Sequence, residues 1–169
     1  MTFSSKKWTL GKCISAVEAK QLQDVQLPYL MARATKIRDE NHGRLVSYSR
    51  KVFIPLTELC RDVCHYCTFA QTPKKIDQPF MPVEEVLALC REGAAMGCQE
   101  ALFTLGEKPE LRYNIARKAL AEMGYESTLD YVKEVAGRVL AETGLLPHIN
   151  AGCMTAEEIA SLREVSASM

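Results

Sequence analysis

The sequence predicts an α/β protein: a parallel sheet built from about three βα units of an incomplete TIM-like barrel, preceded by an N-terminal helical extension. Three observations lead there. Apolar runs of strand length recur at 51–56, 100–104 and 144–150. Each is followed by a loop and then by a stretch with apolar residues at helical spacing. Strand, loop and helix in repeated succession give a parallel sheet joined by right-handed connections. A complete eight-unit barrel takes about 250 residues, and the chain has 169. The expectation is therefore the first half of a barrel, cut off after its third helix begins.

Residues 1–12 carry no clear period and are expected as a loose lead-in. Ile14, Val17 and Leu22 fit a short helix over Ser15 to Leu22 only weakly. Leu30, Met31, Ala34 and Ile37 mark a better one from Leu27 to Asn41, with Gly43 as its C-cap. Residues 1–49 form the expected helical extension and 50–169 the barrel portion. The run Lys51-Val52-Phe53-Ile54-Pro55-Leu56 has the continuous apolar character of a strand buried on both faces. A loop with Pro73, Lys74, Lys75 and Pro79 precedes Pro82, placed as the first helical residue. Val83, Val86, Leu87, Cys90 and Ala94 then form an apolar stripe that ends at Gly97, which makes Cys90 a small core residue. Glu100 to Thr104 is the second strand. Helical stretches follow over Arg112 to Met123 and Leu129 to Glu142, stopped by Gly124 and Gly144. Gly144 to Asn150 is the third strand, and Thr155 to Glu158 is a capping box that opens a last helix. The chain is expected to end inside or just after that helix.

Charge and composition exclude several classes of function. Formal net charge is +0 and the pI is about 6.8, so nothing attracts nucleic acid or an acidic lipid surface. Hydrophobic residues make up 47% of the chain, enough for a globular core. The N-terminus, Met1 to Trp8, is polar and lacks the apolar core of a signal peptide. No apolar run is long enough to cross a bilayer. Seven cysteines in such a chain point to a reducing cytosol rather than a disulfide framework.

The chemistry concentrates where the first strand ends. Cys60, Cys64 and Cys67 are spaced with three and then two residues between them, and aromatic Tyr66 precedes the third. Thiolates are soft ligands for iron–sulfur clusters and zinc. A structural zinc site takes four protein ligands, often as two separated Cys-x2-Cys pairs, and no second pair exists here. Cys13, Cys90, Cys98 and Cys153 are scattered, and His65 is badly placed between two of the cysteines. Three thiolates on one loop suit three corners of a cubane and leave the fourth iron open, unlike a ferredoxin cluster closed by cysteine at all four. Loops beginning at Thr57, Leu105 and Ala151 all leave the C-terminal ends of strands, where βα barrels carry function. The second of these holds Gly106-Glu107. His148 and Asn150 share one side of the third strand, with Ile149 opposite. A satisfied polar pair accounts for them as simply as a ligand contact does.

The string Cys-Arg-Asp-Val-Cys-His-Tyr-Cys-Thr-Phe-Ala, residues 60–70, resembles the radical S-adenosylmethionine (SAM) enzymes, and within them the FO synthase family of the CofG type. The likeness runs from about Leu27 to the last residue. It implies a 4Fe-4S cluster on Cys60, Cys64 and Cys67, with SAM chelating the open iron and yielding a 5′-deoxyadenosyl radical after one-electron reduction. It also implies Gly106 and Glu107 at the SAM amino group, Tyr66 beside the adenine, and Asn150 within reach of the cofactor. The implied activity is formation of 7,8-didemethyl-8-hydroxy-5-deazariboflavin, with loss of ammonia, from an adduct of 5-amino-6-ribitylaminouracil and a tyrosine-derived group. The implied partners are that small-molecule substrate, a CofH-type radical SAM enzyme that supplies it, and a ferredoxin- or flavodoxin-type electron donor. Other radical SAM branches, menaquinone- or biotin-synthase-like, and a cluster-binding fragment without catalysis are the alternatives.

Overall fold

A computed structural model describes residues 14–168; the expected lead-in, Cys13 and Met169 lie outside them. The chain divides into two compact units, Met1–Tyr48 and Ser49–Met169.

In the first unit, α1 (Ala16–Gln21) opens on a reciprocal capping box between Ser15 and Glu18. A short 3-10 turn (Leu22–Asp24) leads to α2 (Leu27–His42), which carries Pro28 in its first turn and ends at Gly43. No side chain of either helix is buried.

The second unit carries the sheet. Strands β1 (Lys51–Pro55), β2 (Glu100–Thr104) and β3 (Leu146–Asn150) lie in the order β1-β2-β3, both pairs parallel. Between them run α3 (Val83–Ala95), a 3-10 turn (Pro109–Leu111), α4 (Asn114–Met123) and α5 (Thr128–Thr143). Helix α6 (Ala156–Leu162) follows β3 behind the Thr155–Glu158 capping box. Register aligns Pro55, Thr104 and Asn150 in one row, so the three loops that matter leave from one level.

Strand periodicity sends Ile54, Ala101, Phe103 and Ile149 into a core of Val86, Leu87 and Cys90 from α3 and Tyr131, Val132, Val135 and Val139 from α5. All of these are 2% exposed or less. The opposite face carries Lys51, Phe53, Leu102, Thr104, Leu146, His148 and Asn150. Here the expectation of a β1 buried on both faces fails. Phe53 is 52% exposed, covered only in part by Phe69, whose ring meets it edge-on at 6.4 Å. An apolar run records what a strand tolerates, and only the helix-facing side of β1 has a covering layer here.

Three further details differ from expectation. Pro82 is the N-cap of α3, with extended backbone, and Val83 is the first helical residue. The 3-10 turn at Pro109–Leu111 interrupts the loop after β2. The residues just after α6 return to the sheet, a contact not foreseen in the sequence: Ala167 donates to the Pro147 carbonyl at 2.7 Å, and Ile149 donates to the Ser168 carbonyl at 2.9 Å. Ser168 thereby forms an isolated parallel bridge with His148 beside β3.

Candidate metal centre

The loop after β1 is folded by its own polar atoms. Thr57, 2% exposed, donates its hydroxyl to the Pro79 carbonyl at 2.7 Å and accepts from the Leu59 amide at 3.2 Å. Met81 donates to the Leu56 carbonyl at 2.8 Å, and Gln71 to that of Glu58 at 2.8 Å. These bonds close 57–81 into a loop that returns to the end of its own strand, with the cysteines on its outward part. Cys60 is half-buried, and Cys64 and Cys67 are exposed. Cys67 donates its amide to the Cys64 carbonyl at 3.3 Å, closing a tight turn between the two cysteines.

The loop after β2 is zipped to it. Gly106 donates to the Thr57 carbonyl at 2.8 Å. A Cβ at position 106 would stand 1.9 Å from the Leu59 oxygen and 2.9 Å from Cys60 Cβ, so only glycine fits. Next in the chain, the Glu107 amide points at Cys60 and donates to its Sγ at 3.3 Å. Backbone donors to a ligating sulfur stabilise its thiolate and tune a cluster bound there. Arg61 returns the contact: its amide donates to the Glu107 carbonyl at 2.9 Å, and its guanidinium pairs with Glu107 Oε1. Glu107 is 7% exposed. A carboxylate so buried requires a partner, and losing one typically costs about 3–5 kcal/mol.

Electrostatically the thiols are close enough to repel. Local desolvation, followed by the negative charges of Asp62, Cys67, Cys60 and Glu107, pushes the Cys64 thiol above its ordinary value. Among the described residues no three His, Cys, Asp or Glu side chains converge on a single ion; in a cubane each thiolate takes a different iron. The donor set is soft, one sulfur receives a backbone N–H, and a buried carboxylate lies alongside. These features fit a cysteine-held cluster beside a site for an ammonium group.

Of the other predicted site residues, Tyr66 is 89% exposed, and Asn150 is exposed at the rim of the sheet, level with Thr104. His148 sits two residues below Asn150 on the same face and is occupied elsewhere. Its Nδ1 lies 2.6 Å from Ser168 Oγ and 3.7 Å from Glu100. The Glu100 carboxyl is held below the usual range, chiefly by its hydrogen bond from Lys51 at 2.5 Å. Cys153 is exposed just past β3.

Four residues that sequence reasoning did not single out shape this end of the sheet. Arg61 is one. Gly152, at φ +81°, lies directly against the Glu107 side chain. Lys108, at φ +35°, is the only non-glycine with a left-handed backbone among the described residues. It reaches both carboxylate oxygens of Glu158 at 2.8 Å, tying the β2 loop to the start of α6. That bond is the main reason the Glu158 carboxyl lies below its ordinary value. Arg112 donates to the carbonyls of Arg61 and Asp62 at 3.2 and 3.4 Å. Arg61 lies inside the cysteine string, but nothing local tells of its partner; no motif marks Gly152, Lys108 or Arg112, because their partners are distant in sequence.

Comparison with known proteins places this arrangement. The sequence profile of the radical SAM superfamily matches residues 54–166. FO synthase of Mycobacterium tuberculosis is 49% identical over 158 residues, covering 85% of this chain and 18% of the relative. The 7,8-didemethyl-8-hydroxy-5-deazariboflavin synthase of Methanopyrus kandleri is 46% identical over 125 residues, covering 74% of this chain and 37% of the relative. The chain thus spans well under half the length of either relative. Among solved structures, methylornithine synthase (PylB) superposes with a TM-score of 0.66 at 22% identity, over 93% of this chain and 43% of that one. The fold is that of a partial TIM-like barrel.

Proposed function

The chain belongs to the radical SAM superfamily, and from that premise we propose that it carries the cluster- and SAM-binding part of an enzyme of deazaflavin biosynthesis. The observation that carries the proposal is the meeting of two loops: three thiols from the end of β1, and the Gly106-Glu107 turn from the end of β2, joined through Cys60 Sγ. The identity to an FO synthase and to a 7,8-didemethyl-8-hydroxy-5-deazariboflavin synthase supports the choice of reaction.

In this reading Cys60, Cys64 and Cys67 hold a 4Fe-4S cluster. When bound, such a cluster supplies a single electron for reductive cleavage of SAM. The protein's own part is positional. Glu107 accepts a charge-assisted hydrogen bond from the SAM ammonium. Gly106 keeps its turn tight against Leu59 and Cys60, so that carboxylate and thiols hold a fixed spacing. Tyr66 lends an aromatic face to the adenine, and Asn150 faces the cofactor from the end of β3. The substrate is the adduct of 5-amino-6-ribitylaminouracil and a tyrosine-derived group, delivered by a CofH-type radical SAM enzyme. A ferredoxin- or flavodoxin-type donor supplies the electron, in the cytoplasm. Among the described residues no helix is long and apolar enough to cross a membrane.

Anaerobic reconstitution of the full-length protein with iron and sulfide tests the proposal. The expected result is one four-iron cluster per chain, 5′-deoxyadenosine from SAM and dithionite, and the deazaflavin when the adduct-forming enzyme and its substrates are added. Cys64→Ala should abolish the cluster. Deoxyadenosine without deazaflavin would move the chain to another radical SAM branch. Stoichiometric zinc without acid-labile sulfide would end the cluster reading.

A further inference from the structure

Glu107 is gripped from two sides by residues outside the Gly-Glu pair itself. On one side the Arg61 guanidinium pairs with Oε1, while the Arg61 amide holds the Glu107 carbonyl at 2.9 Å. Arg61 Nε is buried and has no partner among the described residues. The guanidinium forgoes one hydrogen bond to stay on this carboxylate. On the other side stands Gly152. A Cβ there would lie 2.7 Å from Glu107 Oε2 and 2.9 Å from its Cγ, backed by a φ of +81°. Any side chain at 152 would drive the carboxylate from its place. Lys108, the next residue in the chain, is pinned at 2.8 Å to both oxygens of Glu158, so the backbone that carries Glu107 is anchored on that flank too.

We infer that Arg61 and Gly152 are the positioning residues of Glu107: they fix its carboxylate in one orientation, Oε1 engaged by Arg61 and Oε2 set against Gly152. The inference rests on the reading of Glu107 as the acceptor for SAM. It goes further in assigning the orientation of that group to one residue between the cysteines and one beyond β3. A carboxylate on a free rotor would lose rotamer entropy each time a ligand bound; one already held does not.

The test is SAM affinity, measured by anaerobic equilibrium dialysis of the reconstituted full-length protein, with iron and sulfide counted in every variant. Arg61→Gln should keep its iron and weaken SAM binding roughly tenfold, the loss of one charge-assisted contact. Arg61→Lys should recover part of that loss, because the charge remains while the planar fork is gone. Gly152→Ala should weaken binding with iron retained, by displacing the same carboxylate. The decisive comparison is a double-mutant cycle. If Arg61 acts through Glu107, then Arg61→Gln placed on Glu107→Gln should change affinity by about twofold or less. A full tenfold loss on that background, or iron loss in step with every loss of affinity, would show that Arg61 merely ties the loops and would overturn the inference. Wild-type protein that binds SAM as tightly as both single variants overturns it alone. Wild-type protein that holds its cluster but binds no SAM overturns the reading of Glu107 together with it.

Discussion

A carboxylate 7% exposed is an expensive residue to keep, and the chain keeps Glu107 at the point where two loops meet. Its amide serves Cys60 Sγ, its carbonyl serves the Arg61 amide, and its side chain is engaged by Arg61. Changing the charge without the shape isolates the last function. Glu107→Gln should leave iron content intact and weaken SAM affinity roughly ten- to a hundredfold, for a charge-assisted hydrogen bond of about 1.5–3 kcal/mol. Isothermal titration under anaerobic conditions measures it, and unchanged affinity would remove Glu107 from the SAM site. Glu107 was singled out in the sequence because Gly-Glu falls at the end of a strand and resembles a family motif. The thiols were legible because soft ligands at fixed spacing have few other uses. Gly152 was not. A glycine after a strand suggests a turn, and nothing local reveals that a side chain there would strike Glu107.

At the scale of elements, α5 does more than cover the sheet. Tyr131, 2% exposed, sends its hydroxyl to the Met81 carbonyl at 2.6 Å. Its ring packs edge-on against Phe80 at 5.9 Å and tilted against Tyr125 at 5.0 Å. Helix α5 thereby fixes the end of the loop that begins with the cysteines. Burial pushes the Tyr131 hydroxyl up to about 12. Tyr131→Phe leaves the rings in place and the Met81 carbonyl without its donor. It should lower unfolding free energy by about 0.5–1.5 kcal/mol in a denaturant titration, without loss of iron. No measurable change would mean that water takes over the carbonyl. The bounds of β2 and the cap of α6 could be read directly from sequence, because a run bounded by polar residues and a Thr-x-x-Glu box are local signals. The turn at Pro109–Leu111 and the isolated bridge at Ser168 were not legible. Each is too short to establish a period, and each depends on a neighbour supplied by the fold.

For the whole molecule, the two sides of the sheet have different fates. Core side chains fill the helix side, whereas Phe53 and Leu146 on the other side are 52% and 48% exposed. Strand β1 is the edge of the described sheet, and an unpaired edge offers N–H and C=O groups to any neighbour. The 169-residue chain, purified alone, should therefore self-associate. Size-exclusion chromatography with light scattering should give masses above the monomer that fall when Phe53→Lys places a charge on the exposed face. A monodisperse monomer across micromolar concentrations would show that this surface is shielded in solution. The spatial order of the strands also bears on how the molecule comes into being. Neighbours in the sheet are neighbours in the chain, and Ser168 already lies beside His148. Each strand leaving the ribosome meets its predecessor in place, so the sheet can grow in the direction of translation without a distant segment having to return. The cysteine loop, first in that order, is closed by Gly106 and Glu107 as soon as the second strand arrives. The two loops that form the candidate site are therefore joined while later segments of these 169 residues are still being added.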